Sequence, residues 1–259
     1  MVRQLLRRLL PGRPNRSQGR SQGRQKLFFD RRPDLIYAIG DVHGCLSLLA
    51  TMERAIAADA AAVSGEKWII LLGDYVDRGP ESAGVLDHLL SAPPAGLRRF
   101  CLAGNHEQLM LSYLATPGPD HFWLGLGGHD TLRSYGLYDM GERGTSAKAL
   151  LESHVPSEHV DFLEKAPSLL AVPGYVFVHG GIRAGIPLEE QADEDLLWLR
   201  PSGEIAPPGD FVVVHGHTPV PDVELTPGRI NVDTGAYATG RLSCVRIDRN
   251  NNIVKLAVG

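Results

Sequence analysis

The chain has 259 residues, 43% of them hydrophobic and 22% charged, which is the balance of an ordinary globular protein able to bury a sizeable core. Its net charge of -4 hides a split, because residues 1–32 hold ten Lys/Arg against one acid while the rest holds 16 basic and 29 acidic residues. No apolar run nears the roughly 20 residues that span a bilayer. The three scattered cysteines, Cys45, Cys101 and Cys244, make no disulfide framework, so a cytoplasmic location is expected.

Residues 1–33 read as a basic tail. MVRQLLRRLL sets Val2, Leu5, Leu6, Leu9 and Leu10 at helical spacing with arginines between, the pattern of a short helix for an anionic membrane or an acidic partner. Ten residues rarely hold a helix alone, so a frayed, solvated tail is the plainer expectation. PGRPNRSQGRSQGRQK, at 11–26, has the composition of a disordered linker. Ten cations attract nucleic acid without regard to sequence. Only Phe28 and Phe29 interleave with them and the body is acidic, so no specific nucleic-acid partner is expected.

The folded body is expected over 34–259. DLIYAIG reads as a strand, CLSLLATMERAIAA as a helix, KWIILLG as a strand, and PESAGVLDHLL as a helix with proline near its start. RRFCLAG and HEQLMLSYL repeat the strand–helix rhythm, so the fold class is α/β with a largely parallel sheet. Residues 116–170 break the rhythm with Gly, Pro and helical pieces such as SEHVDFLEKA, and read as a small helical cap over the sheet edge. Strands resume at YVFVHGG and FVVVHGHT. RINVDTG, RLSCVRI and NNIVKLAV then suggest antiparallel strands, with a turn at RNNN, 249–252.

Five polar clusters directly follow five of these strands: GDVHG at 40–44, GDYVDRG at 73–79, GNHE at 104–107, HGG at 179–181 and HGHT at 215–218. In open α/β sheets, ligands bind beyond the carboxyl ends of the strands, so the five loops can converge. Asp41, His43, Asp74, Asn105, His179 and His217 offer carboxylate, imidazole and amide donors, which suit Mn²⁺, Fe or Zn²⁺ rather than a soft metal. Six ligands exceed the needs of one ion and serve two that share a carboxylate. Such a pair clamps the attacking and leaving oxygens of phosphoryl transfer, with a bridging hydroxide as nucleophile. Any one cluster alone is usually a turn or an ordinary loop histidine. Five in order, each after a strand, are not.

GDVHG, GDYVDRG and GNHE, about thirty residues apart, resemble the signature of the phosphoprotein phosphatases, a branch of the calcineurin-like metallophosphoesterases. FVHGG and HGHTP resemble the later histidine motifs, and the likeness covers about residues 35–245. It implies a four-layer α/β/β/α sandwich and a serine/threonine protein phosphatase with two divalent ions, Mn²⁺ foremost. By this resemblance Asp41 and His43 hold the first metal, Asp74 bridges, and Asn105, His179 and His217 hold the second. His106 is the general acid, Asp77 orients it, and Arg78 and Arg200 clamp the phosphate, with Asn105 beside it. DLLWLR, at 195–200, resembles the W-x-R segment of the bacterial and phage branch. VDTGAYATG, at 232–240, stands where eukaryotic members have Ser-Ala-Pro-Asn-Tyr-Cys, and Tyr237 within it faces the substrate or packs at the rim.

The same motifs serve a symmetrical diadenosine tetraphosphate hydrolase. Its cleft needs stacking aromatics and extra cations, whereas residues 116–170 offer only Arg133, Arg143, Lys148 and Lys165, which favours a phosphoprotein or small phosphoester. A catalytically inactive module recruited through its basic tail is the alternative of another class. The complete set of metal and acid positions argues against it.

Overall fold

Residues 23–138, 146–200 and 210–259 are described by the computed structural model. The stretch at 1–10, most of the expected linker, Arg143 and residues 201–209 lie outside the described residues. The first half of the fold runs β1 (Lys26–Phe28), β2 (Leu35–Ile39), α1 (Leu46–Ala60), β3 (Lys67–Leu71), α2 (Ser82–Leu90), β4 (Arg98–Cys101) and α3 (Asn105–Ala115). A 3₁₀ turn at Phe122–Leu126 leads to α4 (Gly128–Ser134), α5 (Ala147–His154) and α6 (Ser157–Lys165). The second half runs β5 (Leu169–Val172), β6 (Tyr175–Val178), α7 (Asp193–Trp198), β7 (Val212–His215), β8 (Glu224–Thr226) and β9 (Arg229–Asn231). It closes with α8 (Ala236–Thr239), β10 (Leu242–Asp248) and β11 (Ile253–Val258).

Two sheets result. One is six-stranded, in the order β1-β5-β6-β7-β9-β8; the other is five-stranded, in the order β11-β10-β2-β3-β4. Side chains alternate across a strand, and here both faces are apolar. Along β2, Leu35, Tyr37 and Ile39 enter the core beneath the helices, while Ile36 and Ala38 enter the core between the sheets. Along β6, Tyr175 and Phe177 face that same inter-sheet core, whereas Val176 and Val178 face a smaller outer core with Leu196 of α7. The layers are therefore helix, sheet, sheet, helix, with the outer helical layer thin on the six-stranded side.

The sheets are mixed rather than largely parallel. The βαβ units give the parallel pairs β2–β3 and β3–β4, but β10 closes on β2 antiparallel, and β5–β6 and β8–β9 are antiparallel too. Short turns, which allow only antiparallel neighbours, explain β5–β6 and β8–β9, whereas β10 joins β2 from the far end of the chain. The expected turn between β10 and β11 forms, with the Asp248 carboxylate accepting from the Asn250 and Asn252 amides at 2.8 and 3.0 Å.

Two expected boundaries move. The fold begins before residue 34, because β1 pairs in parallel with β5 and Phe29 packs edge-on against Trp68, ring centroids 4.7 Å apart. Arg24 also donates to the Leu163 and Ala166 carbonyls at 2.7 and 3.0 Å. A three-residue edge strand is too short to announce itself by alternation. Residues 116–170 do form helices, but these lie in the main helical layer rather than over the sheet edge. Their Trp123, Leu132, Leu151 and Leu163 need burial and find it in the core with Leu49, Val85 and Met110. Leu169 and Leu170 belong to β5. No helix among the described residues is long and apolar enough to cross a membrane.

Candidate active site

The carboxyl ends of β2, β3, β4, β6 and β7 meet at one edge of the sandwich, and the five polar clusters lie on the loops that leave them. Two groups of donor atoms converge there: His43, Asp74 and His106, and Asp74, His179 and His217, each within 4.8 Å. Asp74 is common to both. Its Oδ2 lies 3.5 Å from His43 Nε2 and 3.3 Å from His179 Nε2. His179 Nε2 is 2.9 Å from Asn105 Oδ1 and 3.1 Å from His217 Nδ1. Asp41 stands just outside, its carboxylate accepting from the His217 amide at 3.1 and 3.2 Å.

Close approach dictates two of the glycines. A Cβ on Gly216 would sit 2.1 Å from Asp41 Oδ1, and one on Gly104 would sit 2.2 Å from Asp74 Oδ1. The side chains that matter also hold unusual backbone. His43, Asp74, Asp77, Arg78 and His217 all have φ between +43° and +74°, a left-handed region that non-glycine residues seldom enter.

The donor set fits a pair of divalent cations. His43 Nδ1 is 2.8 Å from the Val76 carbonyl and His179 Nδ1 is 3.0 Å from the Leu72 carbonyl, contacts that only a ring N–H satisfies. Each ring in its neutral form thus aims an Nε2 lone pair at the shared carboxylate, the usual posture of a ligand histidine. Burial pushes the His43 pKa down to about 3, so it stays neutral. Burial beside His179 does the same for His217, also to about 3. His179 is opposite: burial disfavours its charge, but Asp74 and Asp41 outweigh that and raise it to about 10.

His106 differs from these in its partner. Its Nδ1 donates to the Asp77 carboxylate at 2.6 Å rather than to a carbonyl. Burial works against its charged form, yet Asp74 and Asp77 together raise its pKa. Asp77 is itself buried, which raises its own pKa, and it accepts from the Trp123 indole and the Thr131 hydroxyl as well. Arg78 reaches across, with its guanidinium nitrogens 3.0 Å from His43 Nε2 and 3.1 Å from His106 Nε2. Its guanidinium carbon also lies 4.7 Å from the Tyr237 ring centroid. Arg200 approaches from the other side, its Nε donating to His217 Nε2 at 3.2 Å.

All the residues singled out in the sequence therefore gather at this edge. His215 is buried but turned away, its Nδ1 against the Gly216 carbonyl and its Nε2 without a hydrogen-bond partner. Glu107 ties two of the loops together, as its carboxylate accepts from the Gly104, Asp74 and Tyr75 amides at 2.7–2.8 Å. Asp233 is a further buried acid close enough to Asp41 to help raise its pKa, and it follows β9 as the other clusters follow their strands. That signal was present in RINVDTG. Trp123 and Thr131 carried none, since their partner lies about fifty residues away.

A two-sheet sandwich with a carboxylate–imidazole centre at its strand ends defines a metallophosphoesterase. The model of the calcineurin-like phosphoesterases matches residues 35–258, and the chain belongs to that family. It is similar to serine/threonine-protein phosphatase 2 of Escherichia coli, with 28% identity covering 82% of this chain and 92% of that protein. It is also similar to an asymmetrical bis(5'-nucleosyl)-tetraphosphatase of Anoxybacillus flavithermus, with 23% identity covering 80% and 88%. Among solved structures, a serine/threonine phosphatase from Saccharomyces cerevisiae superposes with a TM-score of 0.59 at 16% identity, covering 91% of this chain and 84% of that one.

Proposed function

We propose that the chain is a serine/threonine protein phosphatase that hydrolyses phosphomonoesters. The contrast between His106 and the ligand-like histidines carries the reading. A carbonyl at Nδ1 turns an imidazole's Nε2 toward a cation, whereas the Asp77 carboxylate favours an imidazolium that can give up a proton. Serine and threonine alkoxides are poor leaving groups and need that proton.

Asp41, His43, Asp74, Asn105, His179 and His217 are the residues that would hold two divalent cations, Mn²⁺ foremost and Fe or Zn²⁺ as alternatives. Such cations supply an activated water and neutralise the phosphate's charge. His106 protonates the leaving oxygen, and Asp77 holds its ring. Arg78 and Arg200 flank the centre from opposite sides and grip phosphate oxygens, a task that suits the guanidinium's planar fork. Arg78 must release both His43 Nε2 and His106 Nε2 to do so, because a guanidinium N–H cannot share one lone pair with a cation or with the acid's own proton. Tyr237, partly exposed beside Arg78, meets the substrate at the mouth. A location in the cytoplasm belongs to the same reading.

A dinucleoside polyphosphate is the second reading, favoured by the relatives with asymmetrical tetraphosphatase activity in their names. It needs cations for further phosphates. Among the described residues of 116–170, Arg133 pairs with Asp130 at 2.9 Å and Lys165 pairs with Asp161 at 2.6 Å. The deciding experiment reconstitutes metal-free protein with Mn²⁺ and compares a phosphoserine peptide with diadenosine tetraphosphate. A larger kcat/KM on the peptide is expected; a larger value on the dinucleotide overturns the first reading in favour of the second.

A further inference from the structure

The carboxylate that holds the acid is itself held by residues of another segment. Asp77 Oδ2, which accepts from His106, also accepts from the Trp123 indole Nε1 at 2.8 Å. Asp77 Oδ1 accepts from the Thr131 hydroxyl at 2.7 Å, and the Asp77 amide donates back to that hydroxyl oxygen at 2.8 Å. The carboxylate is thus fixed at both oxygens, and with it the plane of the His106 ring. Trp123 has no freedom to wander, being fully buried with Tyr113 tilted against it at a centroid distance of 4.9 Å.

The turn that carries these donors is fitted to the spot by glycine. Gly127 has φ +112°, and a Cβ there would lie 2.6 Å from the Arg78 amide nitrogen. A Cβ on Gly128 would lie 2.5 Å from the Trp123 ring. Nothing larger lets the chain pass between Arg78 and the indole. The same turn also faces outward. Gly125, Leu126, Gly127 and Asp130 line a cleft of about 420 Å³ with Arg78 and Tyr237.

We propose that Trp123 and Thr131 are positioning residues for proton delivery, and that the 122–131 turn joins the wall of the substrate cleft to the general acid. The inference rests on the phosphatase reading. A leaving group in the cleft touches one side of the turn while the other side fixes Asp77. The proton on His106 Nε2 is then held at a set place relative to that group. The proton passes from Nε2 to the leaving oxygen as the phosphorus–oxygen bond breaks, and the His106 ring returns to neutral with its Nδ1–H still on Asp77. Free rotation of Asp77 would let the ring turn and lose that alignment, a geometric loss that falls on proton transfer alone.

The test uses the full chain loaded with Mn²⁺. Trp123→Phe and Thr131→Val each keep bulk and remove one donor. Each is expected to lower kcat on a phosphoserine peptide by about 10–100-fold, the usual cost of losing an orienting partner. KM, bound metal and kcat on p-nitrophenyl phosphate, whose leaving group needs no proton, should stay within about twofold, well below the general-acid effect. Thr131→Ser, which keeps the hydroxyl, should restore the ratio of the two rates. In an Asp77→Asn background neither change should cost more, since residues acting through one group are not additive. Equal losses on both substrates, or additive losses with Asp77→Asn, overturn the proposal. If one variant does not fold, the other and Thr131→Ser still decide. A wild-type chain inert on the peptide would instead end the protein-phosphatase reading. The assignment of Trp123 and Thr131 is then decided on phenyl against p-nitrophenyl phosphate.

Discussion

The two halves of the proposed metal centre are built differently. Asp41, His43, Asp74, Asn105 and His106 come from the five-stranded sheet; one buried side chain, Glu107, ties the Asp74 and Asn105 loops, and the His43 loop joins them by backbone bonds to the Asp74 and Tyr75 carbonyls. His179 and His217 come from the six-stranded sheet, and no such carboxylate spans their loops among the bonds described. Their link is a backbone one, from the Gly216 amide to the His179 carbonyl at 2.9 Å. The His217 amide then leans on Asp41 of the first half. The first half is therefore a preformed frame and the second half docks onto it. Damage should travel from the first half to the second, and not the other way.

The largest effect is expected at the hub. Asp74→Asn removes the charge shared by both donor groups and should lower turnover by about 10⁴-fold, the several kcal/mol that metal catalysis supplies. Elemental analysis should show both metals lost together. Retention of either at full occupancy would mean the two halves do not share Asp74.

Next comes His106→Asn, which should lower turnover of a phosphoserine peptide by about 10³-fold, within the range of general acid catalysis. Turnover of p-nitrophenyl phosphate should fall far less, and both metals should remain. Because His106 Nε2 lies 3.9 Å from Asp74 Oδ2, within reach of the first donor group, loss of a metal would make it a ligand instead.

The frame itself is tested by Glu107→Gln, which keeps shape but loses charge. About 2 kcal/mol of stability should go, the scale of hydrogen bonds to an ionised group. Urea unfolding should report it, and metal affinity of both halves should weaken together. Asp233→Asn, on the six-stranded sheet and close enough to His179 to feel its charge, should weaken only the metal at His179 and His217, by about 10–100-fold in affinity. Titration calorimetry that found both sites equally weakened would reverse the order of dependence.

A further effect concerns pH. With its pKa raised to about 10, His179 keeps its proton at neutral pH in the metal-free protein, and a cation must displace it. Mn²⁺ affinity should therefore climb as pH rises from 7 toward 9, with about one proton released per metal bound at His179. Affinity that is flat across that range, measured in buffers of different ionisation heat, would show the proton is not there.

The first half was the more legible from sequence. Its loops follow β2, β3 and β4, each of which leads into a helix, and each loop carries its proposed ligand within two residues of a glycine, so pattern and chemistry coincide. The second half was readable only at HGG and HGHT. Asp233 was overlooked because β9 is three residues long and its loop lacks a histidine. The Trp123–Asp77 and Thr131–Asp77 bonds were invisible for another reason. They join residues about fifty positions apart, and nothing in an isolated tryptophan or threonine says where its hydrogen goes. β1 went unread because its three residues, KLF, sit amid cations whose bonds to α6 and Glu189 are long-range. Removing residues 1–32 would accordingly unseat Phe29 and cost about 3 kcal/mol, the scale of losing a buried aromatic.

The left-handed backbone at His43, Asp74, Asp77, Arg78 and His217 has a consequence for anyone breeding a hardier version of this protein. Each such residue costs about 1–2 kcal/mol relative to a relaxed conformation, a cost glycine escapes. Arg78, whose side chain is only partly buried, is the most tempting replacement. Arg78→Gly should raise the melting temperature and at the same time remove the phosphate grip proposed for it. Selection for heat resistance alone would thus reward the loss of catalysis, so each round of breeding needs an activity screen beside the thermal one.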